Sequence, residues 1–410
     1  MTRRRIPELD GFRVVMVFIV SWFHIWQQSW LTPHVGRVSL DFLVRAGYMA
    51  VDATLLLSAF LLCLPWAEAR YRGEPADRRL EPARAFYRKR LARVLPSYLF
   101  VMALMLFAVA IPQRKYASGG AMALDILTHL TFTFPFTRAT YQHTPLGGAS
   151  WTLAMEVHFY LLLPLLLRGA DRKPGAVMAG MAACAAFFRV YCLWALEDYS
   201  MVVNQMVNFL DVYALGMACA LCWPRLTALR DRLSGGGRTA FHLGATLVLA
   251  LGIAGFVLVL RDQAGTGSYS GIQAGQMVRR PLLALACAGI MLSLPLALRP
   301  VRLLFGNPVM RFLAGISMNY YLLHQNIAVW LREHNIPFSD LTYPNQAGET
   351  VWQLQYTALA FGLSLAAAVL VTYLIEKPGA ALLRRLFARM DRRRGDLRSP
   401  ASPPKAPSST

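Results

Sequence analysis

Residues 5–26 read RIPELDGFRVVMVFIVSWFHIW, preceded by Arg3 and Arg4. From Val14 to Trp26 the stretch is apolar apart from Ser21 and His24, and that composition reads as a membrane-crossing helix. Arg13 and His24 stand eleven positions apart. At 3.6 residues per turn they share a face, separated by about 16 Å along the axis. A helix entering the bilayer at Val14 therefore holds Arg13 at the surface. Because the hydrocarbon core is roughly 30 Å thick, His24 is expected near the midplane. An ionisable group at that depth is expensive and points to function.

The rest of the chain agrees with a membrane bundle. Hydrophobic residues make up 56% and charged residues only 16%, yet the net charge is +20. The excess charge must lie between apolar runs. Such runs fall near 14–31, 46–64, 94–112, 150–167, 175–196, 206–223, 240–260, 281–298, 315–331 and 351–375. The expected fold is thus an all-α polytopic bundle of about ten transmembrane helices. No small-residue cleavage site follows the first run, so it is expected to remain as a span. With the N-terminus placed in the cytoplasm, the cytoplasmic segments hold 32 Lys and Arg against 9 on the opposite side. This bias sets both termini inside. It also explains the basic charge without nucleic acid.

Segment 121–136, AMALDILTHLTFTFPF, is interrupted by Asp125, His129 and Pro135. It is expected to form an outer loop or a re-entrant helix, not a crossing. Residues 1–378 form the expected transmembrane domain, and 379–410 a basic, Ser/Pro-rich cytoplasmic tail without order. The six cysteines lie in or beside spans and suit apolar packing. Cys219 and Cys222 have neither a second pair nor a nearby histidine, so no metal site is expected. No phosphate-binding Gly-rich loop and no dinucleotide fingerprint is present.

Five stretches together resemble the acyltransferase-3 family of integral-membrane acyltransferases, over Ile6 to Pro378. The opening Leu9-Asp10-Gly11-Phe12-Arg13 with His24 is similar to that family's Leu-Asp-Gly-x-Arg, ten residues, His. Residues 50–61, AVDATLLLSAFL, resemble its Gly-Val-Asp-x-Phe-Phe-x-Leu-Ser-Gly-Phe-Leu. Residues 86–96, FYRKRLARVLP, are similar to its basic stretch ending Arg-x-x-Arg-x-x-Pro. Residues 151–160, WTLAMEVHFY, with Pro164, resemble its Trp-Ser-Leu-x-x-Glu-x-x-Phe-Tyr. Ser317, Tyr320, Tyr321, Leu322 and His324, then Glu376-Lys377-Pro378, complete the set. The chain departs from the pattern at Ala50 and Ala59, where the family has Gly, and at Ala53 and Thr54, where it has paired Phe. The first change is mild in a helix contact. The second is expected to reshape the pocket around Asp52.

The resemblance implies O-acyl transfer, chiefly of acetyl, from cytoplasmic acetyl coenzyme A or another acyl coenzyme A to a carbohydrate or glycolipid hydroxyl. It implies no permanently bound cofactor. The expected setting is a bacterial inner membrane, beside membrane lipid and glycan-assembly proteins. Such a reaction needs a base for the hydroxyl proton, a donor site and help for the oxyanion. His24 is the expected base, since neutral imidazole is available at cellular pH. Arg13 offers a fixed charge to a phosphate-bearing donor, and Arg88, Arg90 and Arg93 form a donor-binding patch. Glu156 is expected to orient an imidazole, bind a sugar hydroxyl or pair with Arg189. Asp10, Asp52, Trp151, Tyr160 and His324 are further pocket candidates. Ser317, Tyr320 and His324, at spacings of three and four, should share one stripe, whereas the tyrosines themselves are more often packing residues. Asp52 and Asp211 are intramembrane acids whose partners the sequence leaves open. A transporter also places His, Asp and Glu within a bundle, but no matched pair of broken helices supports one. Succinyl transfer, a non-sugar alcohol acceptor and a purely structural subunit are the remaining readings.

Overall fold

The first apolar run folds as α1, Glu8–Ser29. Glu8 and Asp10 in its first turn complement the positive end of the helix dipole. It stops where Trp30 turns left-handed (φ 55°) and its N–H reaches back to the Trp26 carbonyl. The computed structural model describes residues 5–396, and of 392–396 the backbone alone.

Eleven more helices follow: α2 Val51–Tyr71, α3 Ala83–Met105, α4 Gly119–Leu130, α5 Trp151–Arg172, α6 Pro174–Ala195, α7 Leu210–Arg232, α8 Gly235–Ala264, α9 Tyr269–Ser293, α10 Pro308–Glu333, α11 Thr350–Val371 and α12 Lys377–Asp396. Short helical turns and one two-stranded hairpin, His34–Val35 with Val38–Ser39, join them. This is a polytopic all-α membrane protein. Among the described residues nine helices are long and apolar enough to cross a bilayer.

The ninth expected span, 315–331, lies in α10, which is 26 residues long and falls outside those nine helices. Asn319, His324, Gln325 and Asn326 lower its hydropathy. Its direction is nevertheless that of α1. Gly11 lies against the Phe305 backbone just before α10, and Ser21 hydrogen-bonds Tyr320 at 2.8 Å. Ile25 packs with Ala328 and Leu331. The two helices therefore run side by side and parallel over their whole lengths.

Three ends meet at one end of the bundle. The start of α12 abuts α3 at Gly379, where a Cβ would lie 2.7 Å from Pro96. Arg88 on α3 pairs with Asp391 on α12 at 2.5 Å, and Gly306 lies beside Pro7 and Glu8. The chain thus enters and leaves at this basic end. Residues 379–396, expected as disordered tail, continue helically in α12 because Leu382, Leu383, Leu386 and Phe387 recur at helical spacing; 397–410 lie outside the described residues. Segment 121–136 does not cross: α4 has 12 residues, about 18 Å at helical rise, and buries Asp125 and His129.

Two buried ion pairs supply the partners that the sequence left open. Asp52 on α2 meets Arg280 on α9 at 3.0 Å, with side-chain exposures of 1% and 0%. Arg189 on α6 holds Asp211 on α7 at 2.6 Å and donates to the Asn208 carbonyl, which also accepts from Arg280. Arg189 is thus committed to Asp211 and not to Glu156. Arg280, counted with an outer loop, is buried because α9 starts at Tyr269 instead of near 281. The Ala59 departure also finds its reason. Gly216 on α7 faces it, and a Cβ there would lie 2.6 Å from the Ala59 Cβ. The small residue needed for close approach sits on the partner helix.

Candidate active site

Two cavities approach each other from opposite ends. The inner one lies toward the basic end, with about 990 Å³ of empty space counting its mouth. Arg13, Arg90 and Arg93 line it from α1 and α3. Glu156 and Tyr160 line it from α5, where the Tyr160 hydroxyl donates to Glu156 Oε2 at 2.6 Å. Arg90 lies over the Phe86 and Tyr160 rings, 5.6 and 6.0 Å from their centroids. Its Nε has no hydrogen-bond partner among the described residues. Val17, Leu55, Leu61, Leu62, Val94, Leu153 and Leu322 supply most of the remaining wall, with the hydroxyls of Thr54, Ser58, Thr152, Ser317 and Tyr321 among them. Three guanidinium groups above a largely aliphatic, uncharged shaft can hold a polyanionic head and admit an uncharged chain.

The outer cavity holds about 1430 Å³ by the same measure. Its lining includes His24, Trp151, Tyr141, Tyr269, Asn204 and Gln273. Its charged groups are Arg138, Glu197 and Asp198, and Arg138 is spent on Asp198 at 2.5 Å. Hydrogen bonds from Ser200 and from Arg138 hold the Asp198 carboxyl below the usual carboxylate range. This cavity is rich in amides and rings, with little free charge.

His24 lines the outer cavity alone. It lies five residues before the end of α1 and lines the outer cavity, so it is nearer the outer end than the midplane expected from Val14. The helix begins at Glu8, which displaces its centre toward the N-terminus. His24 Nδ1 is 3.1 Å from Gln27 Oε1. Since that oxygen only accepts, Nδ1 carries the hydrogen and Nε2 presents its lone pair. The His324 ring lies 5.3 Å away and is wholly buried. Its Nδ1 donates to the Tyr321 carbonyl at 2.8 Å, and its Nε2 has no partner among the described residues. The boundary passes between neighbours on α5: Trp151 faces the outer cavity and Thr152 the inner one.

The candidates named from sequence divide accordingly. Arg13, Arg90, Arg93, Glu156 and Tyr160 share the inner cavity; His24 and Trp151 line the outer one; His324 backs His24. Four expectations are corrected. Arg88 turns to Asp391 and the Phe387 ring on α12 instead of the cavity, because it lies on another face of α3 from Arg90 and Arg93. Asp10 pairs with Arg5 at 2.8 Å and is absent from the lining of both cavities. Asp52 is consumed by Arg280, and it is Thr54 that reaches the inner cavity. The α10 stripe splits: Ser317 lines the inner cavity while Tyr320 bonds Ser21, and Tyr321, set aside as packing, is a wall residue. The outer-cavity side chains of the 196–205 loop and of α9 carried no pattern by which to find them.

A helical membrane bundle whose basic cavity and neutral cavity approach each other at Thr152 and Trp151, with a histidine pair on the neutral side, defines an acyl-transferring membrane enzyme once its relatives are considered. The acyltransferase domain family model matches residues 6–377, and the chain belongs to this family, the acyltransferase-3 family of integral-membrane enzymes. It is 24% identical over 273 residues to nodulation protein 10 of Rhizobium leguminosarum bv. viciae, covering 60% of this chain and 67% of that one. It is 27% identical over 174 residues to acyltransferase MdmB of Streptomyces mycarofaciens, with 42% and 41% covered. It is 22% identical over 244 residues to O-acetyltransferase OatA of Staphylococcus aureus, with 56% and 36% covered. The match thus spans well under half of the last two relatives. No solved structure matches.

Proposed function

We propose that this enzyme moves an acyl group, acetyl foremost, from cytoplasmic acyl coenzyme A to a carbohydrate hydroxyl presented at the far side of a bacterial inner membrane. The observation that carries this reading is the opposed pair of cavities, one basic and one neutral, with His24 lining the neutral one. The bias of 32 Lys and Arg against the 8 that remain once Arg280 is counted within α9 favours a cytoplasmic basic cavity. Arg13, Arg90 and Arg93 then hold the donor's phosphates, and the largely aliphatic shaft takes its thioester arm. Membrane lipid surrounds the bundle, and glycan-assembly proteins deliver the acceptor.

In the reaction, the His24 Nε2 lone pair takes the acceptor's hydroxyl proton as that oxygen attacks the thioester carbonyl. Collapse of the tetrahedral intermediate breaks the carbon–sulfur bond. The imidazolium returns the proton to the departing thiolate. Buried His324 holds the His24 ring in place by contact, and the Gln27 oxygen fixes its tautomer. Glu156, tied to Tyr160, offsets part of the repulsion among the three arginines.

The test is mass spectrometry of envelope glycans from cells with and without the gene. The expected result is an acyl increment that disappears on deletion, returns with the parent gene and does not return with His24→Gln. Identical glycans in all strains reject the carbohydrate acceptor.

A further inference from the structure

A thioester carbonyl under attack gathers negative charge on its oxygen, and stabilising that charge takes a hydrogen-bond donor whose hydrogen is not already spent. Six side-chain hydroxyls line the inner cavity, those of Thr54, Ser58, Thr152, Tyr160, Ser317 and Tyr321. Four are committed. Thr54 donates to the Val51 carbonyl at 2.8 Å, Thr152 to the Ala149 carbonyl at 3.1 Å and Ser317 to the Ala314 carbonyl at 2.9 Å. Tyr160 donates to Glu156 at 2.6 Å. Ser58 and Tyr321 remain.

Of these two, Tyr321 reaches the histidines. Its ring lies 5.5 Å from that of His324, which lies 5.3 Å from His24. Its hydroxyl oxygen is buried and has no hydrogen-bond partner among the described residues. The Thr152 hydroxyl is close to it, beyond hydrogen-bond distance, and with its own hydrogen given to Ala149 it can only accept. A buried donor left without an acceptor costs free energy, so the Tyr321 O–H is poised for an acceptor that enters the cavity. Its depth agrees. Tyr320, the preceding residue, bonds Ser21, which stands eight positions past Arg13, about 12 Å further along α1 at helical rise. Tyr321 therefore lies beyond the Arg13 level and beside Thr152, whose neighbour Trp151 lines the outer cavity.

We infer that the Tyr321 hydroxyl is the oxyanion donor of the acyl transfer, an inference that rests on the proposed function. As the acceptor oxygen bonds to the thioester carbon, the carbonyl π pair moves onto its oxygen, and the Tyr321 O–H hydrogen-bonds that oxygen without giving up its proton. Re-forming the carbonyl returns the pair and expels the thiolate, which takes the proton held on His24. Tyr321 ends the cycle as it began.

The test compares Tyr321→Phe, which keeps the ring against His324, and Ser58→Ala with the parent enzyme in nanodiscs. The donors are acetyl coenzyme A and its dithioester analogue, whose carbonyl oxygen is replaced by sulfur, a weak acceptor. Transfer to methyl glucoside and hydrolysis of the donor are both read. With acetyl coenzyme A, Tyr321→Phe should lower kcat about 100-fold, as for one lost oxyanion donor, while donor Kd and acceptor KM stay within about two-fold of the parent. The ratio of rates for the oxygen over the sulfur donor should fall about 10-fold in Tyr321→Phe and stay unchanged in Ser58→Ala. A hydroxyl that served only packing would slow both donors alike, so a lost rate with an intact ratio overturns the inference. So does a Tyr321→Phe rate within about three-fold of the parent, or a ratio that collapses in Ser58→Ala instead. A parent enzyme that hydrolyses the thioester but acylates no glucoside rejects the carbohydrate acceptor and leaves the Tyr321 test in force, because the ratio is then read on hydrolysis. Transfer by the parent with an unchanged ratio in Tyr321→Phe rejects the Tyr321 role alone. A parent that cleaves no thioester rejects the acyl-transfer reading and the inference with it.

Discussion

The inner cavity carries three arginines over a largely aliphatic shaft, whereas the outer cavity, of comparable size, carries amides and rings with its one arginine neutralised by Asp198. On the proposed function, the contrast lets one bundle separate two recognition problems. A polyanion is held by fixed guanidinium charge, which tolerates flexible geometry because it acts over distance. A neutral polyol needs short, directed hydrogen bonds and flat apolar faces, which amides and aromatic rings supply. On the proposed function, placing the two at opposite ends keeps the donor's phosphates away from Glu197 and Asp198 and leaves the reacting atoms to meet beside His24.

The contrast breaks hardest at the proposed base. His24→Gln keeps a hydrogen-bonding side chain but cannot accept a proton at ordinary pH, and the turnover rate should fall about 10³-fold, within the range for general-base groups. Donor affinity, measured by calorimetry, should stay unchanged because the phosphate contacts lie in the other cavity. A variant within a few-fold of the parent rate would move the base to Glu156 or His324.

Next in size is the donor side. Arg90→Ala with Arg93→Ala should weaken acyl coenzyme A binding by about 100-fold, taking roughly 1.5 kcal/mol for each charged hydrogen bond lost. Lysine at both positions should restore only part of it, since an ammonium cannot contact a phosphate through two parallel bonds. Undiminished affinity in the double alanine variant removes the inner cavity from donor binding. Arg88→Ala, whose partner is Asp391, should change affinity far less, and this separates the cavity from the helix-end cluster.

On the outer side, Trp151→Ala should raise the acceptor KM about 5- to 10-fold, as expected for a lost aromatic contact worth about 1–1.5 kcal/mol, with donor affinity untouched. An equal loss on both substrates would mean that Trp151 acts through the fold. The smallest effect sharpens the electrostatic contrast. Raising salt toward about 1 M, where the Debye length falls to about 3 Å, should weaken donor binding several-fold while the acceptor KM barely moves. Parallel salt dependence of the two would contradict the division of charge.

Periodicity and charge placement are local properties of the chain, and they determined the class of fold, the basic end at which the first and last helices lie, and α1 with Arg13 and His24 on one face. The Arg90–Arg93 spacing likewise put both groups on one surface of α3, and the quoted motifs identified the family. Which polar residues face each other was not legible. Glu156 had Arg189 as a plausible partner until Asp211 and Asn208 were found to hold it, and Asp52 had no visible partner because Arg280 is 228 positions away. Arg88 and Arg90 look equivalent in sequence, yet α12 takes one and the cavity takes the other. A bilayer supplies no water to satisfy a stray polar group, so each buried charge must find a mate on another helix. That choice is made by helix packing over long sequence separation. For the same reason the two cavities and the histidine pair exist only once the helices are assembled.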